Sequence, residues 1–273
     1  MSLEADSAGA EGAVTSCRDG AVLRITLDRP SQRNSLTQRM IETLVDTLAD
    51  AATEDSLRAI LIRGAGADFC AGADWLAANS ADERRPRAGD LVRRIPHAAH
   101  RVIELIHGIH LPVVCSVQGW AVGIGCNLAL AADFAVATHA AVFWEPFVDR
   151  GFSPDSGSTW LLPRLVGLVR ARRMLLLGER VPATQAADWG LIHQTVDAAA
   201  LDDTVDELLT RLAAGPTVAL GLTKQALSLG QYATLNQSMT QELFNLELSC
   251  RTGDFKEGLA AFRQRRAAKF EGR

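Results

Sequence analysis

The 273-residue chain is poor in several residue types, and each scarcity excludes something. Its five cysteines, Cys17, Cys70, Cys115, Cys126 and Cys250, are odd in number and scattered, with no C-x-x-C pair. That spacing excludes a disulfide framework and a structural zinc site, and it points to a reducing, cytoplasmic setting. Positive charge is not in excess: the formal net charge is −4. A nucleic-acid footprint needs a basic surface, and stacking platforms need aromatics, yet only 5% of residues are aromatic and one is tyrosine. Nucleic acid is therefore not an expected partner. The first 20 residues lack the basic start and apolar stretch of a secretory leader and read as a loose tail. From Leu105 to Ala132 charge itself is missing. A run of about 20 such residues can span a bilayer. Here His107, His110, Pro112, Gln118, Gly119, Gly123, Gly125 and Asn127 divide it into short pieces, which reads as buried core.

What is present is ordinary for a folded enzyme-sized chain: 48% hydrophobic and 22% charged residues. Ala21–Leu27 alternates and stops at Asp28-Arg29-Pro30, which predicts a strand and a turn. Thr37–Ala52 places Met40, Leu44, Val45, Leu48 and Ala52 on one helical face. Leu57–Arg63, Pro112–Val117 and Phe134–Ala137 read as buried strands, Ile124–Ala132 as a short helix, and Ile192–Val196 as a further strand. Strands separated by helical stretches predict parallel crossovers and an α/β class. Ala77–Arg94, rich in arginine, reads as a mobile surface loop leading into a helix near Pro96. After residue 155 the pattern turns helical: 158–165, 169–177, 183–189, 201–213, 217–229, 235–248 and 255–266, punctuated by glycine and proline.

Two glycine-rich stretches follow strands: 64–74 (GAGADFCAGAD) and 119–127 (GWAVGIGCN). Neither completes a dinucleotide fingerprint, since Leu128 stands three residues after Gly125, and no lysine lies near to make a phosphate loop. Small residues between a strand end and a helix start do expose backbone N–H groups at the positive end of the helix dipole. Two such donors converging on one point form an oxyanion hole for an enolate or thioester oxygen. Tight helix–sheet packing is the competing explanation.

Together these stretches resemble the enoyl-CoA hydratase/isomerase (crotonase) superfamily from about Ala21 to Phe270. The resemblance is carried by LDRPSQRNSLTQRM (27–40), GAGADFCAGADW (64–75), LPVVCSVQGWAVGIGCNLALAADFAVAT (111–138), GFSPDSGSTWLLPRLVG (151–167), LGERVPATQAADWGLIHQTV (177–196) and DFKEGLAAFRQRRAAKF (254–270). It implies a spiral core of ββα units over 21–200, a helical oligomerisation region over 201–273, and a homotrimer or dimer of trimers. The implied partner is an acyl-CoA thioester, with coenzyme A as part of the substrate, no separate cofactor, no metal and no membrane. The implied oxyanion donors are the amides of Ala73 and Ile124, the latter where the family usually has glycine. Ala71, Ala73, Asp74 and Trp75 would lie along the CoA. Arg29 and Arg33, or Arg265, Arg266 and Lys269, would meet its phosphates, unless they form a solvated charged face.

The departures from the family bear on the chemistry. The two glutamates of its hydratases fall on Asn127 and Phe147, neither of which transfers a proton. The chain instead carries Pro154-Asp155. That resembles the enoyl-CoA and ring-oxepin isomerase branch, where this carboxylate is a single acid/base, and also the aryl-CoA dehalogenase branch, where it is a nucleophile. From the residues alone, Asp155 reads first as the N-cap of the following helix, and it is the family pattern that points to catalysis instead. Phe143, Phe147, Phe152 and Trp160 would line the acyl pocket or simply pack the core. His100 matches a dehalogenase histidine, or is structural. Glu145 and Asp149 remain as spare carboxylates. The rival to an isomerase, hydratase or dehalogenase is a CoA-binding paralogue without catalysis.

Overall fold

The computed structural model describes residues 12–74 and 89–273. It opens with a hairpin in which β1 (Ala13–Asp19) runs antiparallel to β2 (Val22–Asp28), Ala13 opposite Asp28. The loose tail expected over 1–20 is thus corrected in its second half. Almost every β1 side chain is exposed, so no hydrophobic alternation marked it; main-chain pairing along an edge holds it instead. Beyond β2 the sheet is parallel: β3 (Ala59–Gly64), β4 (Val113–Val117), β6 (Phe134–Thr138) and β9 (Gln194–Val196), in the order β1-β2-β3-β4-β6-β9. All five residues of β4 are buried, because helices cover both faces of the sheet.

One face carries α1 (Gln38–Ala51), α2 (Ala99–Gly108) and α3 (Ile124–Ala131). The Thr37 hydroxyl caps α1 by accepting the Met40 N–H, and Met40, Ile41, Leu44, Leu48 and Ala51 form its buried stripe. A second, smaller sheet stacks beside α3: β5 (Trp120–Val122), β7 (Val142–Trp144) and β8 (Val181–Pro182). The chain therefore winds as a spiral in which β4, β5 and α3, and then β6, β7 and α4 (Ser158–Leu176), each give one strand to each sheet and then a helix. The uncharged run Leu105–Ala132 becomes the end of α2, then β4, β5 and α3, all interior. Among the described residues no helix is long and apolar enough to cross a membrane.

α4 (Ser158–Leu176) is broken at Gly167 (φ 74°, ψ 162°), where the sequence pattern separates two helices. After α5 (Ala183–Asp188) and β9, α6 (Leu201–Ala213) packs Leu201, Val205, Leu209 and Leu212 against Leu61, Val114 and Val136 on the other face of the large sheet. The first helix of the C-terminal region thus packs directly on the spiral core. α7 (Thr217–Gly230) is tied down by Lys224, whose ammonium meets Asp133 Oδ2 at 2.7 Å and donates to the carbonyls of Ile106 and Leu111. α8 (Leu235–Ser249) starts in a Thr234/Gln237 capping box and buries no residue, and α9 (Gly253–Gln264) follows. Of the arginine-rich stretch, residues 77–88 lie outside the described residues, and Asp90–Arg94 form a short helical turn ahead of α2.

Candidate active site

The two glycine stretches meet. Cys70 bridges to Ala121: its N–H donates to Trp120 O (2.9 Å), and the Val122 N–H donates to Cys70 O (2.9 Å). The approach is close enough to demand glycine. A Cβ on Gly125 would stand 2.4 Å from the Cys70 carbonyl oxygen, and Gly72 holds φ +104° with Val122 O 3.2 Å from where its Cβ would be. On its other side the first stretch pairs with Leu36, whose N–H donates to Gly72 O (2.8 Å) while its carbonyl accepts the Asp74 N–H (2.9 Å). In a parallel bridge of this pattern the amide of the middle residue, Ala73, points away from the partner strand. Ile124 is the first residue of α3, so its N–H belongs to the unpaired first turn at the positive end of the helix dipole. The fold therefore brings together the two segments bearing the expected oxyanion donors and leaves both amides facing away from their own ladders.

A side chain that sequence reasoning passed over fixes the first stretch. Asn34 is fully buried with φ 55°; its Oδ1 accepts the Arg29 N–H, and its Nδ2 donates to Ala65 O (2.8 Å) and Asp68 O (2.7 Å). One amide thus ties the turn after β2 to the loop after β3. The signal lay in the R-N-S of residues 33–35, where asparagine is the residue that tolerates a left-handed backbone and bonds locally.

The expected CoA contacts divide. Arg29 is corrected: it is buried, and its guanidinium meets Asp74 Oδ2 at 2.7 Å and Ser35 Oγ at 3.0 Å. A buried guanidinium paired with a carboxylate is spent on holding two loops together and is not presented to a phosphate. Asp74 is spent in the same pair. Arg33 is exposed, 3.9 Å from Asp68. The half-buried Ala71 gives its N–H to Arg33 O (2.9 Å). Trp75 lies outside the described residues. Arg266 forms a two-pronged pair with Glu257, which pulls that carboxyl down to about 2, and the Lys269 N–H joins it.

The expected acyl-pocket residues also divide. Phe147 is buried and meets Phe152 edge to face, centroids 5.5 Å apart, with Phe152 partly open to solvent. Phe143 is corrected to core: it is wholly enclosed at the centre of β7. Trp160 is displaced from that group. It stands edge-on to His107 at 5.2 Å, under the Arg164 guanidinium, and lines a separate cavity of about 170 Å³ with Asp133 and Lys224. His100 lies one turn before Ile103 on α2, and Ile103 packs 3.6 Å from the position a Cβ on Gly157 would take. The two residues share a helix face. The His100 Nε2 is buried without a partner.

Asp155 does not cap α4. The N-cap is Gly157, with no side-chain cap bond, and what Ser158 contacts is the main-chain carbonyl of Asp155. Among the described residues the carboxyl group accepts the neighbouring Ser156 hydroxyl (2.8 Å), in a turn where Ser156 is held at φ 53°. Of the spare carboxylates, Asp149 is exposed and turned toward Gly178. Glu145 is fully buried, its carboxyl lying against the Cys126 thiol with no further hydrogen-bond partner among the described residues. Burial pushes its pKa well above the ordinary value, and the nearby negative charge of Asp155 pushes the same way. Asn127 is likewise buried, with both polar atoms unpartnered. Among the described residues no group of three or more His, Cys, Asp or Glu could hold a metal ion.

Comparison with known proteins agrees with this geometry. Residues 18–273 match the family model described as enoyl-CoA hydratase/isomerase. The chain is 38% identical to the 1,2-epoxyphenylacetyl-CoA isomerase of Escherichia coli K12 over 92% of its own length and 95% of that protein. It is 34% identical to the 2,3-dehydroadipyl-CoA hydratase of the same organism, over 94% and 97%. The crystal structure of an enoyl-CoA hydratase from Polaromonas sp. JS666 superposes with a TM-score of 0.89 at 30% identity, covering 95% of this chain and 100% of that one. The spiral of paired sheets is thus the crotonase fold, and the chain belongs to the enoyl-CoA hydratase/isomerase family.

Proposed function

We propose that the protein is an acyl-CoA isomerase that moves a double bond, or isomerises an epoxide or oxepin, through an enolate. In this reading the amides of Ala73 and Ile124 hold the thioester oxygen. Asp155 removes a proton from C2 of a 3-enoyl-CoA, giving a dienolate, and returns it at C4. The double bond then stands conjugated with the thioester. One carboxylate can serve both transfers because C2 and C4 lie on one side of a bent allyl fragment.

The observation that carries the reading is the placement of ionisable groups. By the family resemblance Asn127 and Phe147 fall at the positions of the hydratases' two glutamates, while the Asp155 carboxyl is not consumed as a helix cap. Each oxyanion donor in such a site is worth about 3 kcal/mol of barrier, and positioned acid–base catalysis about 10²–10⁴ in rate. Coenzyme A enters as part of the substrate, and Arg33 remains as a candidate for its phosphates.

Assembly into trimers or paired trimers belongs to the same proposal. Leu235, Met239, Leu243, Phe244, Leu246 and Leu248 all lie exposed on α8, more contiguous apolar surface than a lone chain ordinarily leaves open. The test of function is a panel of 2-enoyl-, 3-enoyl-, ring-epoxide- and haloaryl-CoA thioesters, with products identified by mass and NMR. Isomerised products without water or halide chemistry are expected. Brisk hydration of 2-enoyl-CoA with 3-enoyl-CoA untouched would reject the isomerase.

A further inference from the structure

Asp155 sits in a turn whose two serines hold it in different places. Ser158, wholly buried at the start of α4, holds the main chain: its N–H and its hydroxyl both donate to the Asp155 carbonyl, at 3.3 and 3.1 Å. Ser156 holds the carboxyl group, its hydroxyl donating to Oδ1 at 2.8 Å. Ser156 is itself buried, and it reaches that oxygen from a left-handed backbone, φ 53°, directly before Gly157 at φ 85°. Glycine meets that conformation freely, whereas a residue with a Cβ adopts it at a cost that the surrounding structure must cover. A glycine at 156 would make the same turn with less strain but would bring no hydroxyl to the carboxylate. That hydroxyl is what the strained residue supplies.

We propose that Ser156 is a positioning residue for the proton transfer: its hydroxyl fixes the Asp155 carboxylate by Oδ1, so that Oδ2 takes the proton from C2 and delivers it to C4. This rests on the isomerase reading above and deepens it. A carboxylate on a freely turning stem carries Oδ2 away from the acyl carbons as its side-chain torsions change. A charge-assisted hydrogen bond from a buried donor with a locked backbone removes that freedom before substrate arrives. Ser156 keeps its own proton throughout. The C2–H bond breaks, its electron pair enters the dienolate, and an O–H bond forms on Oδ2. That O–H bond then breaks as the C3=C4 pair takes the proton at C4, and the double bond is left between C2 and C3.

The test is the pair Ser156→Gly and Ser156→Ala, assayed on a 3-enoyl-CoA beside the unmodified protein and Asp155→Asn, with kcat, thioester affinity and melting temperature measured for each. Both variants lose the hydroxyl, but only glycine relieves the left-handed backbone, so Ser156→Gly should melt above Ser156→Ala. Both should nonetheless lose about tenfold or more in kcat with thioester affinity nearly unchanged, because a misplaced carboxylate is felt in the transition state and not in ground-state binding. Turnover then follows the hydroxyl and not the stability. Full turnover in Ser156→Gly, rates that track the melting temperatures, or a loss confined to thioester affinity overturns the positioning role while leaving the isomerase reading standing. An unmodified protein that leaves 3-enoyl-CoA untouched, or an Asp155→Asn protein that isomerises normally, overturns that reading and the role with it. Ser156→Gly, which fits the turn, decides the matter even if the alanine variant misfolds.

Discussion

The spiral core and the last helices of this chain treat apolar side chains in opposite ways. In the core, α1 and the sheet bury Ile25, Leu44, Leu48, Ile60 and Ile62 essentially completely. On α8 a comparable set of leucines, with Met239 and Phe244, stays in solvent. The core closes on itself and can hold backbone amides in fixed positions, as an oxyanion site requires. The α8 helix starts in a capping box and packs along α7, where the Asn245 amide donates to the Leu222 carbonyl, yet it buries none of its residues. Between them runs a seam made by Lys224, Asp133 and the carbonyls of Ile106 and Leu111.

Four measurements sharpen the contrast. Leu44→Ala, at a fully buried position on α1, should cost about 2–5 kcal/mol in denaturant unfolding, because the cavity cannot collapse between helix and sheet. Lys224→Met should cost about 2 kcal/mol. That is below the usual penalty for breaking a buried pair, since Asp133 keeps the Val113 N–H (2.8 Å) and some solvent contact. If α7 is held by this seam, its amides should also exchange faster in the variant.

Glu145 provides a test with a sign. Its pKa in the folded chain lies above the ordinary 4.5, so the stability tied to its proton is complete below that pH and is lost as pH rises. The melting temperature of Glu145→Gln minus that of the unmodified protein should therefore climb between pH 4 and pH 8, about where the unfolded carboxyl is ionised. A flat difference would mean Glu145 ionises normally in the folded state. The smallest stability effect belongs to α8. Leu243→Glu should change the unfolding free energy of the dissociated chain by less than about 0.5 kcal/mol. In sedimentation, however, it should shift the protein toward monomer, and an unmodified protein that is monomeric at micromolar concentration would defeat the assembly proposal.

The same contrast governs how much was legible in the sequence. Buried parallel strands and the α1 stripe announce themselves, because a covered sheet and a half-covered helix impose hydrophobic runs and a 3.6-residue period. β1, β5 and β7 do not: β1 faces solvent, and three residues of strand carry no period. At the site, the glycine stretches and Asp155 were legible as motifs. What the sequence hid was pairing across distance. Arg29 meets Asp74 from the far side of α1 and β3, which turns an apparent phosphate ligand into an internal strut. Asn34 reaches Ala65 and Asp68 in the same way. Glu145 could be named as a spare carboxylate, but its complete burial depends on α3 closing over it, which no local pattern encodes.

The most direct test of the account compares the unmodified protein with Asp155→Asn on a 3-enoyl-CoA, following the appearance of the conjugated 2-enoyl product and measuring thioester affinity in parallel. The account predicts that the unmodified protein shifts the double bond. It further predicts that Asp155→Asn loses at least about 10²–10⁴ of that rate, with affinity for the thioester nearly unchanged. An Asp155→Asn protein that isomerises normally, or an unmodified protein that leaves 3-enoyl-CoA untouched while hydrating the 2-enoyl ester, would contradict it.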